Sequence, residues 1–471
     1  MPATDHAPLM LSVSGCRGIT GASFTPETIA RYAHAWADDV RAETTTERPT
    51  IVVGRDGRAG GGALQRLVEG ALNAAGCDTV GLGTATTPTV GLMVRRLDAH
   101  AGLVLTASHN PAEWNGLKPI TRAGAAPTPA RMKGLIERYH ANANDWRTWD
   151  ALGTHTERTD SAALHVRTVL DAVARVCDPA YIASRRFSVI ADSVNASGVE
   201  GCRLLLSELG CDLTHLNDDD SGLFPHPPEP TEDNLKGLAE AVGERNADAA
   251  FAQDTDADRL AILGPGGVYI GEEYTLVLCA TALLESMGND ARGAVLCANL
   301  STSRMIDDVA AKYGATVVRT PVGEANVSSV MVERAASLGG EGNGGVIWPD
   351  VVLIRDSLAS MALVLALMAR TGRTIEELVA DVPRYAIVKT KAPITEALRD
   401  DAPRLLTEAF AGADVDTQDG VRFDFDTEGG RGWLHARPSN TEPVFRLIAE
   451  APTGAGANAI IARAQRALAR S

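Results

Sequence analysis

The chain has 471 residues, a formal net charge of −16 at pH 7, and 45% hydrophobic against 22% charged residues, the balance of a large multidomain globular protein with three or four domains expected from its length. No run of about 18 uninterrupted apolar residues occurs, which excludes a membrane-spanning helix, and the acidic surplus disfavours nucleic acid or an anionic membrane as a partner because polyanions would be repelled. Met1 to Met10 has neither the basic start nor the apolar run of a signal peptide, so a cytoplasmic location is expected, and seven scattered cysteines without a Cys-x-x-Cys pair read as reduced thiols.

Short β-branched runs alternate with alanine- and leucine-rich stretches of helical length. Residues 49–54 predict a strand, 62–75 a helix, 79–82 a strand, 87–97 a helix and 101–106 a buried strand. The pattern returns with a strand at 187–191, a helix at 198–209 and a strand at 249–252. It returns again with 293–297, 303–313 and 315–319. Such alternation predicts α/β units in which helices cover a sheet. Residues 142–159 are polar and aperiodic and read as a linker ending in an edge segment. Beyond 386 the order becomes strand, helix, strand, strand and a final helix at 455–469. The predicted domains are 1–150, 151–264, 265–384 and 385–471: three similar mixed α/β domains followed by a smaller α+β domain.

Four segments carry chemistry. The first is Thr106-Ala107-Ser108-His109-Asn110-Pro111, where an apolar strand runs out and a serine hydroxyl is presented at the carboxyl edge of a sheet. No Gly-x-Ser-x-Gly elbow accompanies it, so acyl transfer is not indicated. A helix-capping serine is the structural alternative. Just beyond lies Lys118, one of only six lysines among 44 basic residues, able to hold a phosphate or to shuttle a proton.

The second is Asp254-Thr255-Asp256-Ala257-Asp258-Arg259, again directly after an apolar strand. Carboxylates at alternate positions of an extended loop would project to one side and offer hard oxygen ligands to Mg²⁺. Arg259 could take a phosphate oxygen. Third is the glycine-rich run 339–345, in which Glu341 and Asn343 alone have functional side chains suited to sugar hydroxyls. Fourth is Arg437-Pro438-Ser439-Asn440-Thr441, a dense set of donors for a phosphate dianion, with Arg446 close behind.

Together with Ser14-Gly15-Cys16-Arg17-Gly18, Val53-Gly54-Arg55-Asp56-Gly57-Arg58 and Asn115-Gly116-Leu117-Lys118, these motifs occur in an order that resembles the α-D-phosphohexomutase superfamily of phosphoglucomutases, phosphomannomutases and phosphoglucosamine mutases. The resemblance implies four domains around a central cleft. It implies that Ser108 is phosphorylated and that Ser108, Asp254, Asp256 and Asp258 hold one Mg²⁺. Arg17, Lys118 and Arg259 then line the reacting phosphate, and His109, Gly323, Glu341 and Asn343 meet the sugar phosphate. Arg437, Ser439, Asn440 and Thr441, with Arg446, hold the distal phosphate. The implied substrate is a hexose phosphate that passes through a bisphosphorylated hexose, on a monomer or homodimer.

Two details bear on chemistry and substrate. Many bacterial relatives end the sugar loop in Ser-Gly-His, whereas this chain has Asn343-Gly344-Gly345; a base role for that histidine cannot be carried over, and Lys118 or another group would have to serve. Residues 319–327 resemble the Arg-Thr-x-Val-Gly stretch of phosphoglucosamine mutases, which favours glucosamine phosphate over mannose or glucose phosphate. A phosphatase of another superfamily, or a non-catalytic sugar-phosphate-binding paralogue, are the remoter alternatives.

Overall fold

The computed structural model describes residues 8–143, 145–393, 396–438 and 444–469, with the backbone alone for Pro393 and 396–400. The first sheet has seven strands. Its parallel part is Ala101–Leu105, Thr50–Arg55, Asp78–Thr84 and His155–Glu157, continued past Ala101–Leu105 by the antiparallel Trp114–Thr121, Gly15–Ile19 and Met10–Ser12. The second sheet pairs Asp212–Leu216, Ser188–Asp192 and Ala249–Gln253 in parallel, then adds Leu260–Gly264 and Val268–Tyr269 antiparallel. The third joins Thr316–Thr320, Val295–Asn299 and Leu338–Glu341 in parallel, with Gly345–Ile347 returning antiparallel.

The strands buried on both faces are near-continuous apolar runs, as the parallel part of a helix-covered sheet requires; all five residues of Ala101–Leu105 and of Ala249–Gln253 are buried. Predicted strands and helices of these three units fall within a residue or two of those found, for example 49–54 against Thr50–Arg55 and 198–209 against Gly198–Glu208. The edge segment of the polar linker is His155–Glu157, hydrogen-bonded to Asp78–Thr84.

One helix sits at the centre of the molecule. In Ser357–Thr371, every residue from Ser357 to Ala369 is buried. Its alanines, leucines and methionines are strong helix formers without a polar face, as expected for a helix surrounded by protein. The Asp356 carboxylate caps it by accepting the Leu358 N–H at 2.9 Å, and Gly372, left-handed at φ 69°, ends it. It packs on helices Glu272–Met287 and Ser161–Val173, so that one apolar core runs through all three α/β units, from Val52 to Val382. The buried His165 threads them as well. Its Nδ1 lies 2.8 Å from Thr89 Oγ1 and its Nε2 2.8 Å from Asp356 Oδ2.

The last unit departs from the expected order by two strands. It is an antiparallel five-stranded sheet in the order Ala386–Pro393, Val444–Ala451, Gly430–Pro438, Val421–Thr427, Asp414–Asp416, with helices Glu396–Ala409 and Gly454–Leu468 on it. Val421–Thr427 and Gly430–Pro438 are separated by Glu428 and Gly429 alone, a break too short to read as a boundary. Asp414–Asp416 is a three-residue edge strand carrying two aspartates, the charged, short form that blunts a sheet edge. All seven cysteines are unpaired, and among the described residues no helix is long and apolar enough to cross a membrane.

Removing the middle member of a buried hydrogen-bonded thread leaves its partners unsatisfied, at about 1–3 kcal/mol each. His165→Ala is therefore expected to lower the onset of thermal unfolding by several degrees. An unchanged calorimetric transition would mean that the Thr89–His165–Asp356 thread contributes no stability.

Candidate active site

Each α/β unit ends its parallel part in a hairpin, and the turn of that hairpin carries one of the motifs. Ser108 lies between Ala101–Leu105 and Trp114–Thr121. The aspartates lie between Ala249–Gln253 and Leu260–Gly264, and Asn343 between Leu338–Glu341 and Gly345–Ile347. The chain reverses there after running to the carboxyl end of a central strand, which is where ligands of α/β sheets bind.

Ser108 is 2% exposed and adopts a left-handed backbone, φ 50°. The strain is held from several sides. Its N–H donates to Thr106 Oγ1 at 2.8 Å, and its carbonyl accepts from Thr255 Oγ1 at 2.8 Å. Arg58 also donates to that carbonyl and to those of Asn110 (2.8 Å) and Pro111 (2.6 Å). Asp56 holds Arg58 in turn, accepting from its Nε at 2.9 Å, and takes the Thr106 hydroxyl at 2.7 Å. The sequence displayed Asp56 and Arg58 without revealing this clamp. The Ser108 hydroxyl donates to Asp254 Oδ2 at 3.0 Å and lies 3.3 Å from His109 Nδ1.

Asp254, Asp256 and Asp258 are fully buried, with ligand atoms all within 4.8 Å of one another. The loop is a tight turn and not the extended segment expected: Ala257 is left-handed at φ 53°, and its N–H donates to the Asp254 carbonyl at 3.1 Å. Convergence comes from chain reversal instead of alternation. Asp256 Oδ2 accepts from Thr87 Oγ1 at 2.6 Å and from Lys118 Nζ at 3.0 Å. Asp258 Oδ2 accepts from Lys118 Nζ at 2.8 Å and from Arg355 Nη2 at 2.6 Å. The remaining oxygens, Asp256 Oδ1 and Asp258 Oδ1, are buried without a hydrogen-bond partner. Two orphaned anionic oxygens beside a third carboxylate make an all-oxygen set that fits a hard divalent cation.

The protonation pattern follows from this packing. Burial, then Asp256 and Asp258, push the Asp254 carboxyl well above the usual range. Burial also opposes charge on Asp258, yet Arg355 and Lys118 hold it below the ordinary carboxylate value. Lys118 places its ammonium between two carboxylates, Nζ donating to Asp256 Oδ2 at 3.0 Å and to Asp258 Oδ2 at 2.8 Å. Burial disfavours its ammonium, but Asp256 and Asp258 outweigh that and hold its proton more tightly than in a free lysine. His109 is pushed down to about 3 by burial and by Arg259 and Arg17.

The other expected residues assemble around this centre. Arg17 Nη1 donates to Asn110 Oδ1 at 2.9 Å, and Arg259 reaches Glu229 Oε1 at 3.5 Å. Glu341 Oε1 accepts from Asn299 Nδ2 at 2.8 Å and from the Gly323 N–H at 3.1 Å, while Asn343 Oδ1 accepts the Gly345 N–H at 3.2 Å. Arg437 stands opposite Arg446 in the last sheet, and Arg446 opposite Lys391, so three cations share one row. Asp419 Oδ2 lies 3.6 Å from Arg437 Nη1. Ser439, Asn440 and Thr441 lie outside the described residues. Arg355 was not singled out from the sequence, where it has no motif around it.

Sequence models of the phosphoglucomutase/phosphomannomutase family match in order: alpha/beta/alpha domain I over residues 10–146, domain II over 168–267, domain III over 272–385 and the C-terminal domain over 387–467. A "Phosphoglucomutase/phosphomannomutase" of Thermococcus kodakarensis is 34% identical over 93% of both chains. A "Phosphoglucosamine/phosphogalactosamine mutase" of Sulfurisphaera tokodaii is 30% identical over 96% of this chain and 97% of that one. The crystal structure of a phosphoglucomutase/phosphomannomutase family protein from Burkholderia thailandensis superposes with a TM-score of 0.83 over 98% of each chain at 27% identity.

Asp256→Asn removes one charge from the trio and leaves its other contacts close to place. Calorimetric titration with a divalent cation should show affinity at least about tenfold weaker than for the unsubstituted protein. Equal affinities would place the cation elsewhere.

Proposed function

The chain belongs to the phosphoglucomutase/phosphomannomutase family and is a phosphohexomutase, and from that premise we propose that it works through a phosphoryl group carried on Ser108 and interconverts glucosamine 6-phosphate and glucosamine 1-phosphate. The observation that carries the first part is the Ser108 hydroxyl at 3.0 Å from Asp254, at the rim of the buried trio. Asp254, Asp256 and Asp258, with the phosphoserine, would hold Mg²⁺, which supplies neutralisation of phosphoryl charge.

The free hydroxyl of a bound hexose monophosphate attacks the phosphorus on Ser108. The bond from sugar oxygen to phosphorus forms, the bond from phosphorus to Ser108 Oγ breaks, and the proton of the sugar hydroxyl ends on Ser108 Oγ, which is left as the free hydroxyl beside Asp254. The product is a bisphosphorylated hexose; turned end for end, it returns its other phosphoryl group to Ser108 Oγ. Catalysis of this kind rests on positioning and on charge placed where it develops. Lys118 and Arg259 are the cations at that position, with Arg17 adjoining the serine loop. Glu341 and Asn343 address sugar hydroxyls, and the Arg437 to Thr441 segment with Arg446 addresses the phosphate that is not reacting. Two phosphate sites are what a hydrolase would not need.

The hexosamine reading rests on residues 319–327 and on the relatives' names, which include a phosphoglucosamine mutase activity. Glucose or mannose phosphate is the second reading, favoured by the name of the archaeal phosphoglucomutase/phosphomannomutase. A coupled assay across glucosamine, N-acetylglucosamine, glucose and mannose phosphates decides between them. The expectation is the highest kcat/KM for glucosamine phosphate, and a higher value for glucose or mannose phosphate would reverse the assignment.

Ser108→Ala should fold and bind sugar phosphate yet lose turnover, because among the described residues Ser108 alone donates a side-chain hydroxyl to Asp254. Activity above a few per cent would sink the phosphoserine. Lys118 is expected to act as a fixed charge, given its clasp between two carboxylates. Lys118→Met should then cut kcat about a hundredfold, whereas Lys118→Arg, which keeps the charge but gives up no proton, should stay within about tenfold. Equal losses in the two variants would restore the base role.

A further inference from the structure

Gly345 and Arg355 are joined by space as well as by sequence. A Cβ at position 345 would lie 2.2 Å from Arg355 Cδ, 3.0 Å from its Cγ and 3.1 Å from its Nε. A flexible surface arginine would swing aside, but this one is 7% exposed and fixed at both ends of its guanidinium. Nη1 donates to Glu341 Oε2 at 2.5 Å and Nη2 to Asp258 Oδ2 at 2.6 Å, while its backbone N–H is held by Glu324 Oε1 at 2.8 Å. The side chain therefore occupies the volume that any residue larger than glycine at 345 would need, and it spans from the sugar loop to the metal cluster. Within the sugar loop, Gly344 (φ 81°) accepts the Leu260 N–H through its carbonyl at 3.0 Å, so the two loops touch a second time through backbone.

The geometry points to Arg355 as a positioning residue of the phosphoryl transfer, one that sets the Glu341 carboxylate at a fixed distance from the metal-binding aspartates and takes the place of a side chain at position 345. The planar guanidinium suits this task because its two forks reach two carboxylates in a rigid frame. Glu341 Oε1 is already shared by Asn299 and Gly323, so with Oε2 drawn to Arg355 the carboxylate has one orientation relative to the sugar. A tie between the hydroxyl grip and the cation site governs how far the attacking hydroxyl sits from the phosphorus, and misplacement of about 1 Å there costs on the order of a hundredfold in rate. The inference rests on the reading of Glu341 as a sugar ligand and of Asp258 as a metal ligand.

The test is a kinetic cycle on the full chain at saturating Mg²⁺, with folding checked by circular dichroism and thermal melting. Arg355→Ala should lower kcat about a hundredfold and raise KM for the sugar phosphate less than tenfold, since positioning and not affinity is lost. Arg355→Lys, a single charge without the fork, should recover part of the rate and remain at least about fivefold below the unsubstituted enzyme. Gly345→Ala should by itself reproduce most of the Arg355→Ala loss by displacing the guanidinium, and should add less than twofold when placed on Arg355→Ala. Independent, multiplying losses in the double variant would overturn the shared volume, and a kcat for Arg355→Ala within about twofold of normal would overturn the positioning role. Glu341→Gln, measured alongside, separates the two levels. Unchanged kinetics there would overturn the sugar-loop reading and the proposal with it, whereas a defect there with a normal Arg355→Ala would overturn the proposal alone.

Discussion

Three carboxylates without solvent exposure, within 4.8 Å of one another, set the terms for the rest of the molecule. Two unit charges 4 Å apart repel by about 4 kcal/mol at an effective dielectric of about 20, and burial adds to it. The second α/β unit, which owns the aspartates, holds no cation that satisfies them internally apart from the adjoining Arg259. Lys118 and the Thr87 hydroxyl arrive from the first unit, and Arg355 from the third. The charge problem is thus solved between units, and it can be solved only if the three are held in one relative placement. The continuous apolar core around Ser357–Thr371 provides that placement, and Asp356, next to Arg355 in the chain, caps that helix.

A second regularity follows from topology. In each of the three units the functional turn joins the last parallel strand to an antiparallel return, and each turn contains a residue in the left-handed region: Ser108 at φ 50°, Ala257 at 53° and Gly344 at 81°. Only the last is a glycine. An L-residue resists that conformation by about 1 kcal/mol or more, so Ser108 and Ala257 are held there by the hydrogen bonds around them. For Ser108 the restraint is the Asp56–Arg58 clamp together with Thr255, which reaches across from the aspartate turn to the Ser108 carbonyl. The serine turn and the aspartate turn therefore fix one another.

The sequence made the α/β repetition legible because apolar runs and helical stretches alternate with clear spacing, and the motifs stood out because each follows such a run. What it concealed depends on tertiary distance. Arg355 lies 14 residues beyond Glu341 in Ile354-Arg355-Asp356, with nothing local to distinguish it from a surface arginine. Lys118 was legible as a candidate but not its state, because its neighbours Asp256 and Asp258 are 138 and 140 residues away. Asp56 and Arg58 were visible as a motif, while their grip on the serine turn required its carbonyls to be in place. In the last unit, the two-residue break at Glu428 and Gly429 hid a hairpin because no loop composition separates its strands.

In the proposed mechanism the two ends of a hexose phosphate would meet different kinds of support. The reacting end would face turns mounted on the common core, whereas the row of Lys391, Arg446 and Arg437 belongs to a sheet whose apolar core, from Ala392 to Leu468, shares no residue with the central one. That last unit touches the third through polar contacts: His435 Nδ1 at 2.8 Å from Ser301 Oγ, the Arg304 N–H donating to Glu450 Oε1 at 3.0 Å, and the Val322 N–H donating to Asp419 Oδ2 at 3.1 Å. Polar contacts of this kind exchange for water at little net cost, unlike buried apolar area. On the proposed route, a bisphosphorylated hexose that turns end for end would need one grip that can let go while the other stays fixed. The division between a shared core and a separately cored last unit provides that asymmetry, with the aspartate trio on the side that cannot move without breaking its charge balance.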